Sequence, residues 1–401
     1  MSLEEKAYST NGYRGFRLSG GGLFGWLYAG AGNGFAEKPG RLLLVMVLTV
    51  FPLICLTLIE GTFFGPELDQ PLLKDVTILA RFLVAVPLML LSGVVVDSLT
   101  SEGIRNLRGS GLLDAAGKRG FDQCVDSFYN RKESVLPDLV LLVAIVSLSI
   151  VVLSSPEVLS HNDGISDWMF SSELEDASVS MAGYWCMLVS IPVLLLLLGR
   201  WFWRYVLWVA FLFDVSRLDL RYQATHPDLA GGLGVIKNSQ SAFLLVFLSV
   251  SVLFAGALAE DILFAGVVFS DLHLVIMTFV GILLFAALLP LLFFAPGLIE
   301  TKREGRVIYG LLGYRLSEAF AKKRSDPVDD KGGEKLLEST DPSSVCDYSD
   351  VYGAVRDMAV VPMSPKSVVT MAVVLGLPFI PLAMIGVSFS DFISKVVQSL
   401  I

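Results

Sequence analysis

The densest run of chemically capable side chains lies between residues 200 and 234. Arg200-Trp-Phe-Trp-Arg204-Tyr opens it, and Asp214, Arg217, Asp219 and Arg221 follow with alternating sign at helical spacing. Thr225-His226-Pro227-Asp228-Leu-Ala-Gly231-Gly232-Leu-Gly234 closes it. Two chemistries fit. In one, Arg217, Arg221, His226 and Asp228 surround an anionic headgroup or phosphate, Gly231 and Gly232 let the backbone approach, and His226 titrates near neutral pH as acid or base. In the other, Thr225 or its neighbour caps a helix, Pro227 sits in its first turn, Asp228 favours its positive end, and the glycines permit close packing. No second His or Cys and no nucleophile motif lies nearby, so no residue is assigned as catalytic.

Arg81 is the second candidate. It falls about five residues, or roughly 7–8 Å, into an apolar stretch. A central arginine costs about 2.5–3.5 kcal/mol on insertion scales, although this depth permits snorkelling. Glu260 and Asp261 close another apolar stretch on the same side, so an intramembrane ion pair of Arg81 with Glu260 or Asp261 competes with a simple snorkelled anchor. Elsewhere the signals weaken. Gly30-x-Gly32-x-Gly34 lacks a preceding strand and a following Lys-Ser/Thr, so it is not a phosphate loop. Glu157, Asp163, Asp167, Glu173, Glu175 and Asp176 lack the spacing of a calcium loop and read as a solvated acidic face. The four cysteines and three histidines show no metal-ligand spacing, so no metal and no cofactor is implied.

The elements that carry these residues follow from composition. Of 401 residues, 54% are hydrophobic and 17% charged, with a mean hydropathy of +0.67. A soluble domain is about a quarter charged, so a self-contained water-soluble fold is excluded. A net charge of −9 argues against nucleic acid as a partner. Seven apolar stretches approach the roughly 20 residues a bilayer-spanning helix needs: 42–59, 76–96, 139–153, 181–198, 242–259, 273–298 and 368–388. None alternates with a period of two, which argues for helices over barrel strands. The expected fold is therefore an all-α integral membrane protein, a polytopic bundle of seven transmembrane helices, or six if the last, with Pro378 and Pro381, is re-entrant.

Charge gives the expected orientation. Lys plus Arg number five in 1–41, one in the first loop, six in 97–138, none in 154–180, five in 199–241, none in 260–272 and eleven in 300–366. By the positive-inside rule the N-terminus and the basic loops are cytoplasmic. The expected parts are a Gly/aromatic arm at 1–41 and a membrane bundle at 42–299 with an interfacial or re-entrant segment at 200–234. An amphipathic cytoplasmic helix at 300–324 follows, with Ile308, Leu312, Leu316 and Phe320 on one face. An acidic disordered linker at 325–350 then leads to a C-terminal segment at 351–401. In the interfacial segment Trp201, Trp203 and Trp208 would lie at headgroup depth, with the arginines on phosphates. Pro87, Pro192 and Pro290 each precede a Gly by six or seven residues in helices running the same way, which reads as either a weak three-hairpin repeat or ordinary proline usage.

The His-Pro-Asp-x-x-Gly-Gly-Leu-Gly phrase, with Arg-x-Asp-x-Arg at 217–221 and Arg-Phe-Leu-x-x-x-Pro-Leu at 81–88, resembles a group of polytopic bacterial membrane proteins to which no activity is attached. The resemblance touches about a tenth of the chain and implies a bacterial inner membrane. Its expected partners are the bilayer, with anionic headgroups at the cytoplasmic face, and a second copy in a homo-oligomer. Two functions rank level: a transporter or channel-like bundle, and a membrane scaffold. The alternative is a membrane enzyme or lipid-handling protein that applies 200–234 to anionic headgroups.

Overall fold

In the computed structural model the described residues are 17–25, 39–65, 68, 70–154, 167–171, 178–325 and 341–385. Their regular structure is helical apart from one antiparallel pairing of Phe170–Ser171 with Ser178–Val179. In chain order the helices are α1 (Pro39–Thr49), α2 (Phe51–Ile59), α3 (Val76–Gly109), α4 (Ala115–Glu133), α5 (Leu136–Ser154) and α6 (Met181–Ser216). They continue as α7 (Gly234–Ser241), α8 (Leu244–Leu263), α9 (Phe269–Leu292), α10 (Ala295–Ser325), α11 (Asp341–Asp357) and α12 (Pro365–Met384).

Six stretches are long and apolar enough to cross a membrane: α3, the α4–α5 stretch Ala115–Val152, α6, the α7–α8 stretch Gly234–Leu263, α9 and α12. By length and composition this is a multi-pass membrane protein. The first expected span differs. It forms two helices of 11 and 9 residues with a turn at Val50. Pro52 lacks the N–H that would bond the Leu48 carbonyl, and the Trp185 indole of α6 donates to that carbonyl instead, at 3.2 Å. Pro290 repeats the device in α9: its orphaned partner, the Ala286 carbonyl, accepts from the Tyr205 hydroxyl of α6. Pro87 and Pro192 are met differently. Each begins an α-helical run directly after a π-helical segment, Ala80–Ala85 in α3 and Cys186–Ser190 in α6. The wider π turn relieves the lost bond within the helix itself.

The first part of the segment expected to be interfacial, residues 200–216, continues α6, which runs unbroken from Ile191 to Ser216. Trp201 and Trp208 are buried at its core side, and their indoles donate to the Met89 carbonyl at 2.9 Å and to Gln240 Oε1 at 3.0 Å. The 200–213 text fits a helix because no Pro or Gly interrupts it after Gly199. At the basic end, α10 packs through Gly297, Gly305 and Gly313, where added Cβ atoms would press on Tyr222, Ala224 and Tyr348. Ile308 and Leu312, on the apolar face expected to lie on the membrane or on another cytoplasmic helix, are exposed. Residues 341–350, expected within the linker, form the first part of α11; residues 326–340 lie outside the described residues.

Candidate functional site

The His-Pro-Asp turn is organised by one carboxylate. Asp228 Oδ1 accepts from the N–H groups of Ala230 at 2.8 Å and Gly232 at 3.1 Å, and Oδ2 accepts from Gly234 at 2.8 Å. Gly234 begins α7, so Asp228 caps the positive end of that helix from six residues upstream, the role expected of Thr225 or its neighbour. His226 Nδ1 lies 2.7 Å from Asp228 Oδ1. Burial alone would raise the Asp228 carboxyl, but the Ala230, Gly234 and Gly232 N–H groups and His226 outweigh it and hold it below its ordinary value. Leu229, Gly231 and Gly232 all adopt positive φ, at 53°, 66° and 97°, a backbone that glycine tolerates and Leu229 accepts at some cost. The glycines leave room for Leu298 and Met358 on one side and Leu112 on the other. The Leu229 carbonyl accepts from Ala359 N–H at 2.7 Å. The turn thus ties the α3–α4 connection to the start of α10 and to the segment after α11.

Of the residues expected to bind a headgroup, the structure joins His226 to Asp228 and engages the arginines elsewhere. Arg221 pairs with Asp114 at 3.0 Å, and Arg217 lies over the Phe213 ring. At the opposite end Arg81 sits in the π segment of α3, and among the described residues no ion-pair contact joins it to Glu260 or Asp261. Glu260 accepts from Thr77 Oγ1 at 2.6 Å instead, and Gly256 lets Ala80 approach, so α3 meets α8 through small residues and a hydroxyl.

A second constellation is larger and more deeply buried. Arg200 and Arg204, four apart and hence on one face of α6, are 2% and 3% exposed. Arg200 Nη1 donates to Asp138 Oδ2 of α5 at 2.8 Å, while Arg204 Nη1 donates to the Lys132 carbonyl at 3.0 Å. Both guanidinium groups converge on a single oxygen, the Gly21 carbonyl, at 3.1 and 2.9 Å. Gly21 belongs to a strap, residues 17–25, that crosses this face. Lys132, 5% exposed, donates to the Arg17 carbonyl at 2.9 Å and lies over the Tyr129 ring. Ser19 bonds Asp97 of α3 through both its N–H, at 2.8 Å, and its hydroxyl, at 2.6 Å. Gly21 and Gly22 have φ of 83° and 70°, and a Cβ on Gly22 would overlap the Asp138 carboxylate. Only glycine lets the strap lie this close. The sequence signals were the Gly20–Gly22 run and the Arg-x-x-x-Arg spacing; Asp97, Asp138 and Ser19 carried none.

The third feature is a crevice of about 650 Å³ between α5, α6, α8 and α9. Leu141, Ile145 and Leu148 form one wall, Leu195, Leu198 and Phe202 the floor, and Val246, Val250 and Leu283 the other wall. Apart from Tyr205, whose hydroxyl is taken by the Ala286 carbonyl, its side chains offer almost no hydrogen bonding. Among the described residues no three His, Cys, Asp or Glu side chains are grouped to hold a metal ion. No protein-family model, curated protein or solved structure matches this chain.

Proposed function

We propose that this multi-pass protein is a lipid-handling protein that holds acyl chains in the crevice beside α6, with its basic end toward the cytoplasm of a bacterial inner membrane. The crevice carries the reading. It opens within helices long and apolar enough to lie in hydrocarbon, and its walls are aliphatic and aromatic. An apolar gap of this size forfeits dispersion contacts unless something apolar fills it. At that depth the available filler is a lipid tail. Transport would need a polar path, and this crevice does not supply one: its lining is aliphatic and aromatic, and the Tyr205 hydroxyl and Trp201 indole N–H are taken by main-chain carbonyls. The scaffold reading has one observation in its favour, the exposed Val307, Ile308, Leu311 and Tyr314 on α10.

The test is quantitative lipid analysis of the purified protein. The wild type should retain lipid through detergent washing, and Ala144→Trp, which projects a ring into the crevice from α5, should lose most of it without loss of fold. Equal retention by both proteins would refute the reading.

A further inference from the structure

The geometry points to an anion-binding site beneath the strap, formed by Arg200, Arg204 and Lys132, that takes a phosphate-bearing group and is closed at rest by the strap's own backbone. Three observations converge. Two buried guanidinium groups share the Gly21 carbonyl, the arrangement they would adopt around one oxygen of a phosphate. A neutral carbonyl offers these cations a dipole where a phosphate would offer a charge. Lys132 is buried with a carbonyl and a ring face as its partners and no carboxylate within ion-pair distance among the described residues. Finally, Arg200 Nε is buried without a hydrogen-bond partner, and a gap too narrow for water is lined by Ser19, Arg200, Trp201 and Arg204. The donor set is larger than the strap can satisfy.

The strap carries the signature of an exchangeable occupant. Its hold on the cluster includes main-chain oxygens at Arg17 and Gly21 and the bonds of Ser19 to Asp97. A phosphate that entered would replace those carbonyls on Arg204 and Lys132 while leaving the Arg200–Asp138 pair intact. Arg200 lies about 28 Å along α6 from Met181, which is the depth at which hydrocarbon gives way to headgroups. The phosphate could therefore come from a lipid headgroup or from solution. The site adjoins the crevice at Trp201, but its cations lie on a different face of α6 from Leu195, Leu198 and Phe202.

Hydrogen exchange of the strap amides in the full-length protein tests this. Inorganic phosphate titrated into detergent-solubilised wild type should speed exchange over residues 18–24 by about tenfold at saturation, with sulfate-free chloride buffer as the control. Nanodiscs with phosphatidylglycerol, compared with phosphatidylcholine alone, provide the second arm. A response to phosphate assigns a soluble ligand, and a response confined to the anionic nanodiscs assigns a headgroup. Gly22→Ala should release the strap without any ligand and tighten phosphate binding, seen by ³¹P line broadening. Arg204→Gln should abolish both responses. Unchanged strap exchange in both arms, together with no phosphate binding by Gly22→Ala, would overturn the proposal. Ala144→Trp should leave the strap response intact, so failure here and failure of the crevice reading are distinguishable.

Discussion

Two glycine-bearing segments at the basic end, the turn 226–234 and the strap 17–25, use similar ingredients to opposite effect. In the turn, a carboxylate is surrounded by its own backbone: three N–H groups and one imidazole converge on Asp228, and the glycines seat neighbouring side chains. In the strap the polarity is reversed. Cations from two helices, α4 and α6, are met by main-chain carbonyls of a remote segment, with Asp138 as the carboxylate partner of Arg200, and Arg200 Nε is buried without a hydrogen-bond partner. A charged group whose partners lie within six residues is a folding device; charged groups held by a distant neutral segment are poised for exchange. The residues that look most like a motif are bonded chiefly within their own turn.

The contrast can be broken by mutation. The largest effect belongs to Arg200→Leu, which strands the Asp138 carboxylate in a buried site. Removing one partner of a buried pair costs about 3–5 kcal/mol, so the thermal unfolding temperature in detergent should fall steeply. The double variant Arg200→Gln/Asp138→Asn should recover part of it. Next comes Asp228→Ala, which removes the acceptor of three backbone bonds. Hydrogen bonds to a charged group are worth about 1.5–3 kcal/mol each, and the loss should appear as protease cleavage near residue 230 and a lower unfolding temperature. If Asp228→Ala is as stable as the wild type, Asp228 does not hold the turn together.

A third prediction concerns pH. Because the folded Asp228 carboxyl is held below its ordinary value of 3.8, the unfolded chain binds its proton first as pH falls. The stability from Asp228 is therefore fully present above that value and is lost only as pH drops through the lowered folded value. After correction for intrinsic rates, exchange of the Ala230, Gly232 and Gly234 amides should stay flat from pH 8 to about pH 5 and rise below about pH 4. A rise near neutral pH would mean that Asp228 does not govern the turn. The smallest effect is expected for His226→Gln. Its ring is partly exposed and contributes one of four contacts to Asp228, so the change should stay within about 1 kcal/mol and leave lipid retention untouched.

The sequence carried the membrane architecture because hydropathy over 20 residues is a property of composition, and the bilayer imposes its length directly. It carried the breaks poorly. Pro52 divides the first stretch and its freed carbonyl takes the Trp185 indole, Pro290 stays within α9 with its freed carbonyl taken by Tyr205, and Pro87 and Pro192 follow π turns; proline alone does not distinguish these outcomes. Arg200 and Arg204 read as an interfacial feature because buried arginine is costly in hydrocarbon. The compensation came from the strap nearly two hundred residues upstream, which no local pattern announces. Arg81 illustrates the converse: its position invites a carboxylate partner, yet among the described residues no ion-pair contact joins it to Glu260 or Asp261, and Glu260 accepts from Thr77. Replacing Arg81 with Leu should thus change stability little.

The crevice remains the feature on which the functional account stands, and photo-crosslinking tests it most directly. Lipid carrying a diazirine in its acyl chain, reconstituted with the full-length protein and mapped by mass spectrometry, should label Leu148, Leu195, Val250 and Leu283 in preference to Val143 and Ile150 on the outward face of α5. Ala144→Trp should shift that pattern outward. Labelling spread evenly over the outward faces, unchanged by Ala144→Trp, would contradict the account.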